Sequence, residues 1–213
     1  MVMKAKLTRR SLLGVGAGTL LGSFGADAWA SSTARTPFQP EGPFYPVSWA
    51  ADTGADLIGL TTGNVLASGT PLALNGRVHD RSRAPLAGLR IEIWQCDHRG
   101  IYRHPGDHGR GEVDAGFQGF GAAMTGNRGE YQFFTIVPVP YTGRPPHIHV
   151  KLKRGGQELL TTQLYLEGDP MNGRDGLLSF LRPRSRAALM MSLDEASLPG
   201  GISGMAAKFD FVV

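Results

Sequence analysis

Short stretches in which apolar and polar residues alternate recur along this chain, each bounded by glycine, proline or asparagine. Leu74-Asn75-Gly76-Arg77-Val78-His79 and Leu89-Arg90-Ile91-Glu92-Ile93-Trp94 follow period two, the spacing at which successive side chains leave opposite faces of a strand. Ser82-Arg83-Ala84-Pro85-Leu86-Ala87-Gly88 reads as the turn between them. After the turn Asn127-Arg128-Gly129-Glu130, Tyr131-Gln132-Phe133-Phe134-Thr135-Ile136 reads as another strand. His147-Ile148-His149-Val150-Lys151-Leu152-Lys153 alternates again. Gly155-Gly156 then turns the chain into Glu158-Leu159-Leu160-Thr161-Thr162-Gln163-Leu164-Tyr165 as an antiparallel partner. Residues 206–213 predict a closing strand, and residues 175–193 one or two short helical pieces interrupted at Pro183. The expected fold is all-β: an antiparallel sandwich over residues 72–213, with long loops and one or two short C-terminal helices. A glycine-rich loop from Gly106 to Gly121 is long enough to expect a functional role.

Upstream, residues 31–71 read as an arm and loop. Within them Glu41-Gly42-Pro43-Phe44-Tyr45-Pro46 stiffens the backbone and displays two rings. Residues 1–30 carry Thr8-Arg9-Arg10-Ser11-Leu12-Leu13, a modest glycine-rich apolar run and Ala28-Trp29-Ala30, a small-x-small cleavage pattern. This is similar to a twin-arginine export signal. It predicts passage through the twin-arginine machinery, a periplasmic or secreted product, and no stable membrane anchor once the signal is cleaved.

Composition sharpens this picture in two places. The 30 glycines and 14 prolines favour turns and strands, and 41% hydrophobic with 19% charged residues is the balance of a folded domain. The formal charge of +4 is largely a property of the signal, because removing Lys4, Lys6, Arg9, Arg10 and Asp27 leaves +1. With no cluster of Lys or Arg interleaved with aromatics, nucleic acid is not an expected partner. Cys96 is the only cysteine, which excludes an intramolecular disulfide, and its place after an apolar strand predicts a buried thiol.

Candidate chemistry lies in Tyr141-Thr142-Gly143-Arg144-Pro145-Pro146-His147-Ile148-His149. Two histidines at i and i+2 on a strand share a face and can converge on one ion. The other histidines, His79, His98, His104 and His108, have no such pairing. The pair alone does not name a metal. Zinc needs a third His, Cys or carboxylate, a ferrous site needs a carboxylate, and a tyrosine phenolate suits a hard ferric ion.

Several motifs in order carry a resemblance. They are Gly88-Leu89-Arg90-Ile91-Glu92-Ile93-Trp94-Gln95, Arg99-Gly100-Ile101-Tyr102-Arg103-His104, Pro140-Tyr141, Arg144-Pro145-Pro146-His147-Ile148-His149 and Thr162-Gln163-Leu164-Tyr165-Leu166-Glu167-Gly168-Asp169-Pro170. Together they resemble the intradiol aromatic ring-cleavage dioxygenases, and among these most the protocatechuate dioxygenases of an exported, single-chain type. The resemblance implies a non-haem Fe(III) held by Tyr102, Tyr141, His147 and His149, with Tyr141 displaced when substrate arrives. It further implies Arg144 as the residue that stabilises negative charge on substrate, and Gln163 as a polar neighbour of the iron pocket. The implied reactants are a small aromatic diol and dioxygen, the product a muconate-type dicarboxylic acid. Tyr131 follows the same turn pattern as Tyr102, and only the resemblance assigns Tyr131 to the core. The link from Tyr141 to His147 is shorter than in the protocatechuate enzymes and lacks their tryptophan-containing loop. Two other readings fit the residues alone: a non-catalytic transthyretin-like sandwich module, and a zinc hydrolase using the histidine pair.

Overall fold

The computed structural model describes residues 34–49, 53–62, 67–107 and 111–213. The export-signal segment 1–30 and His108 lie outside the described residues.

Among the described residues, ten strands form two five-stranded sheets. In the first, β1 (Pro71–His79) pairs antiparallel with β4 (Glu130–Ile136). It also pairs in parallel with β9 (Ile202–Lys208) along its first half and with β10 (Phe211–Val212) at its end. Strand β8 (Asp194–Leu198) lies antiparallel on β9. The second sheet has the order β3-β2-β5-β6-β7, from β3 (Phe120–Met124), β2 (Arg90–Trp94), β5 (His147–Arg154), β6 (Gln157–Leu166) and β7 (Met190–Met191). The two sheets make the expected sandwich.

The main core takes the inward residues of both sheets: Leu72, Leu74 and Phe133 from the first, Ile91, Ile93, Ile148, Val150, Leu152 and Leu164 from the second. Leu57, Ile58 and Leu60 from the segment before β1 join them. Because side chains alternate, the opposite face of the second sheet carries Trp94 on β2, His147, His149, Lys151 and Lys153 on β5, and Gln163 and Tyr165 on β6. That face is not solvated. Trp94, His147, His149, Lys151, Gln163 and Tyr165 are all buried on it.

Two covers bury this outer face. The arm over residues 34–49 runs across it, with Gln39 N–H donating to Thr161 O (3.0 Å) and Gln163 Nε2 donating to Pro40 O (2.8 Å). The C-terminal helical pieces α1 (Gly176–Ser179) and α2 (Pro183–Ala187) bring Leu178 and Leu189 against Tyr165. Pro183 opens α2 at its first turn, where its missing N–H costs nothing, so it starts a helix as well as separating two. Strands β3, β7 and β8 are additions to the sequence-based expectation, and β7 lies within residues 175–193, where helix was expected, because Met190 and Met191 pair with the end of β6.

Candidate metal centre

On β5 the inward pair Ile148 and Val150 fixes the register, so the imidazoles of His147 and His149 leave the outer face together. Their Nε2 atoms stand 3.1 Å apart, a separation that one ion bonded to both at about 2.1 Å can span. His147 Nδ1 lies 2.7 Å from Pro145 O. A carbonyl only accepts, so Nδ1 carries the proton and Nε2 presents its lone pair. His149 is held differently. Its ring stacks on Trp94, the residue opposite it on β2, with centroids 4.8 Å apart and planes at 11°. Its Nδ1 is buried without a hydrogen-bond partner. Gly42 of the arm passes so close that a Cβ there would stand 3.3 Å from His149 Cε1.

Tyr102 reaches the pair from a turn after β2. Asp97 organises that turn, its carboxylate accepting from the N–H groups of Arg99 (2.9 Å) and Ile101 (3.1 Å). Gly100 adopts φ +78°, and a Cβ there would meet Pro140 O at 2.9 Å. Only glycine permits that approach of the 100 and 140 loops. The result is Tyr102 with its hydroxyl 3.3 Å from His147 Nε2 and its ring 5.1 Å from that of Tyr141, edge to face. Phe44 of the arm stacks on Tyr102 (4.7 Å, 24°) and meets Tyr141 edge-on at 5.5 Å.

Tyr141 and Arg144 close a two-residue turn in which Thr142 and Gly143 both take positive φ, 41° and 77°. Arg144 then points into a buried polar network. Its Nε donates to Asp175 Oδ2 (2.5 Å), and its Nη2 donates to Gln163 Oε1 (2.9 Å) and to the Tyr165 hydroxyl (3.0 Å). The six residues expected at the site, Tyr102, Tyr141, Arg144, His147, His149 and Gln163, are therefore gathered on one outer patch of the second sheet. Tyr131 is elsewhere, buried in the core with its hydroxyl donating to Phe209 O at 2.6 Å.

The electrostatics suit a cation. Burial, with the Arg144 charge adding to it, pushes His147 down to about 4, and burial holds His149 well below the usual imidazole range, so both rings are neutral donors. Burial also drives the Tyr102 phenol well above its ordinary value, an effect that a bound cation reverses. Among the described residues no group of three or more His, Cys, Asp or Glu side chains is placed to share a metal. The zinc hydrolase reading thus finds no third ligand among the described residues, while phenol oxygens fit the donor set of a hard ion. A decorative pair on a binding module would have no reason to be buried and convergent.

The remaining described histidines stand apart from the pair. His79 Nδ1 contacts Phe211 O at 2.9 Å, His98 Nδ1 lies 3.5 Å from the Asp114 carboxylate, and His104 Nδ1 accepts from Gly106 N–H at 2.9 Å. Sequence reasoning missed Asp175, Tyr165 and Trp94 as neighbours of the site. Their cross-strand positions opposite His147 and His149 could have flagged Tyr165 and Trp94, but nothing local marks Asp175. Of the two rings in residues 41–46, Phe44 is the one stacked on Tyr102 and edge-on to Tyr141. Tyr45 packs edge-on against Trp94, donates to Glu92 (2.7 Å) and accepts from Lys153 (2.8 Å).

The chain is similar to known proteins in sequence and in fold. The family model described as Dioxygenase (Dioxygenase_C) matches residues 41–213. Similar curated proteins include catechol 1,2-dioxygenase 1 of Acinetobacter lwoffii, 30% identical over 64% of this chain and 48% of that one. Hydroxyquinol 1,2-dioxygenase of Nocardioides simplex is 29% identical over 71% and 53%. The chain spans about half the length of these curated relatives. Among solved structures, the dioxygenase domain of a dioxygenase and carbohydrate-binding protein fusion from Streptomyces sp. SirexAA-E is 35% identical, with TM-score 0.63, and is matched over 84% of this chain and 98% of that one.

Proposed function

The chain belongs to the intradiol ring-cleavage dioxygenase family, and from that premise we propose that it binds a non-haem ferric ion and opens a catechol-type ring between its two hydroxyl-bearing carbons. The observation that carries this reading is the convergence of two neutral imidazoles and a buried phenol, with a second phenol beside it, on one patch next to a guanidinium. Tyr102, Tyr141, His147 and His149 would hold the ion. When bound, ferric iron supplies the charge that draws protons from phenols and from a chelating diol, and readies the diol for dioxygen.

The chain's own residues do the rest. Tyr141, half-buried beside Tyr102 and Phe44, would be the phenol whose oxygen accepts a substrate proton. Arg144 offers fixed positive charge where negative charge develops on the ring oxygens, at no cost of reorganisation because its other contacts are already made. Gln163 holds Arg144 Nη2 with its carbonyl while its amide grips the arm at Pro40. Phe44 and Trp94 exclude water from the two sides of the donor set.

The substrate is a vicinal diphenol and the product a muconate-type dicarboxylic acid. The named relatives act on catechol and hydroxyquinol, so these compounds are assayed beside protocatechuate, to which the sequence motifs point. Residues 1–30 serve as a twin-arginine export signal and residues 72–213 as the catalytic sandwich, with residues 31–71 as arm and loop. The Arg9-Arg10 pair ahead of an apolar run supports export, and cell fractionation of the Arg9→Lys, Arg10→Lys variant tests it.

The deciding experiment is iron reconstitution followed by absorption spectroscopy and oxygen uptake. Tyrosinate bound to ferric iron colours the protein burgundy, and catechols then consume oxygen. A colourless protein that takes up no iron would overturn the reading.

A further inference from the structure

Asp175 lies 31 positions after Arg144 in the chain, yet its carboxylate is the shortest contact that Arg144 makes. Its side chain is fully buried, with 0% exposure, while that of Arg144 retains 25%. Each carboxylate oxygen has its own task. Oδ1 accepts from Leu178 N–H (2.8 Å) and so caps α1, and Oδ2 accepts from Arg144 Nε (2.5 Å). Arg144 Nη2 is shared between Gln163 and Tyr165, and among the described residues Nη1 is the edge of the guanidinium that makes no hydrogen bond. Tyr165 itself is clamped between Gln163 Oε1 (2.9 Å) and Gln39 Oε1 (3.2 Å). The plane of the guanidinium is thus defined on one side by an anion anchored to a helix start, and on the other by two residues of β6.

We infer that Asp175 is a positioning residue for the reaction, acting through Arg144. The α1 cap fixes the carboxylate, the carboxylate fixes Nε, and the rotation of Arg144 about its last bonds is removed. The pairing also satisfies the buried anion, so the network is complete without substrate. An arginine held in this way presents its charge to the developing oxyanion in a set direction. A lysine at position 144 could not replace it, because its donors radiate from one nitrogen and cannot reproduce the planar fork that meets Asp175 at Nε and Gln163 at Nη2. This inference rests on the proposed ring-cleavage function.

The test is a double-mutant cycle on the iron-loaded protein with Asp175→Asn, Asp175→Ser, Arg144→Ala and the combinations. Asn and Ser both retain a cap for α1, so the helix start survives while the anion is lost. In the otherwise wild-type protein each Asp175 variant should lose about 10- to 100-fold in kcat/KM, the range usual for residues that orient an active group. Iron content and the visible band of the resting protein should stay at wild-type values. With Ala at position 144 the same Asp175 changes should have no further effect, in kcat/KM or in the affinity for 4-nitrocatechol measured anaerobically by its absorption shift. Effects that multiply instead of saturating, or a fully active Asp175→Asn, would overturn the role of Asp175 while leaving the function intact. A wild-type protein that neither binds nor consumes a catechol would overturn the function and this inference together.

Discussion

Tyr141 and Arg144 exchange both of their backbone hydrogen bonds across a two-residue turn, Arg144 N–H to Tyr141 O at 2.7 Å and Tyr141 N–H to Arg144 O at 3.2 Å. A proposed ligand and the proposed charge-stabilising residue are therefore set by the same four-residue unit. Anything that alters the turn moves both.

Gly143→Ala tests this coupling. The space around Gly143 is open, so a methyl group there meets no atom and the whole cost is that of an L residue at φ +77°. That cost is about 1 to 2 kcal/mol. Urea unfolding should report it, and kcat/KM should fall although neither Tyr141 nor Arg144 is changed. A variant with wild-type stability and turnover would show that the turn does not govern the site.

Tyr102→Phe keeps the ring that stacks on Phe44 and removes only the oxygen 3.3 Å from His147. The protein should fold with a near-wild-type thermal midpoint, lose most of its iron on dialysis, and show a weakened visible band. Full iron occupancy and an unchanged spectrum would remove Tyr102 from the donor set.

Phe44 and Tyr45 are adjacent but should behave differently. Phe44→Ala opens the wall against Tyr102 and Tyr141, and the apparent affinity for catechol should fall several-fold. Tyr45→Phe leaves substrate affinity unchanged but takes a donor from the buried Glu92 carboxylate, at a cost of about 1 to 3 kcal/mol in chemical denaturation. The reverse assignment of the two effects would place Tyr45, not Phe44, at the site.

Asp56 gives a pH dependence far from the metal centre. Burial alone would raise its pKa, but hydrogen bonds from the Thr61 hydroxyl and from the N–H groups of Thr61, Leu60 and Ile58 outweigh this and hold it below the ordinary carboxylate value. The unfolded state therefore takes up this proton at higher pH than the folded state does. The stabilisation is fully present above the unfolded pKa of about 3.9 and is lost as pH falls through the folded value. Asp56→Asn should cost about 1 kcal/mol at pH 7, a figure reduced for solvent screening at a half-buried site. The gap from wild type should narrow steadily below pH 4. A gap that stayed constant down to pH 2 would argue against the carboxylate's charge.

Much of this could be read from the sequence because the physics is local. The alternation through β5 named the face that His147 and His149 share, while the approach of Gly100 to Pro140 that brings Tyr102 to them is a long-range contact that only the fold shows. Strand β3 was hidden because Phe120-Gly121-Ala122-Ala123-Met124 has neither alternation nor β-branched residues, and Gly121 is needed where Leu57 crowds it. Strand β8, Asp194-Glu195-Ala196-Ser197-Leu198, is an edge strand whose polar residues suit its exposure and disguise its pairing. Asp175 could be read only as a helix start, since its bond to Arg144 depends on where α1 meets the sheet.

Strand β5 is at once a wall of the core and the floor of the metal centre, with Ile148, Val150 and Leu152 on one side and His147 and His149 on the other. A slip of one residue would put imidazoles among the core side chains and isoleucine beneath Tyr102. Packing and coordination thus check the same register independently. Colour in the iron-loaded protein would then be a proofreading signal as well as a sign of activity, visible only in molecules whose sheet has paired correctly.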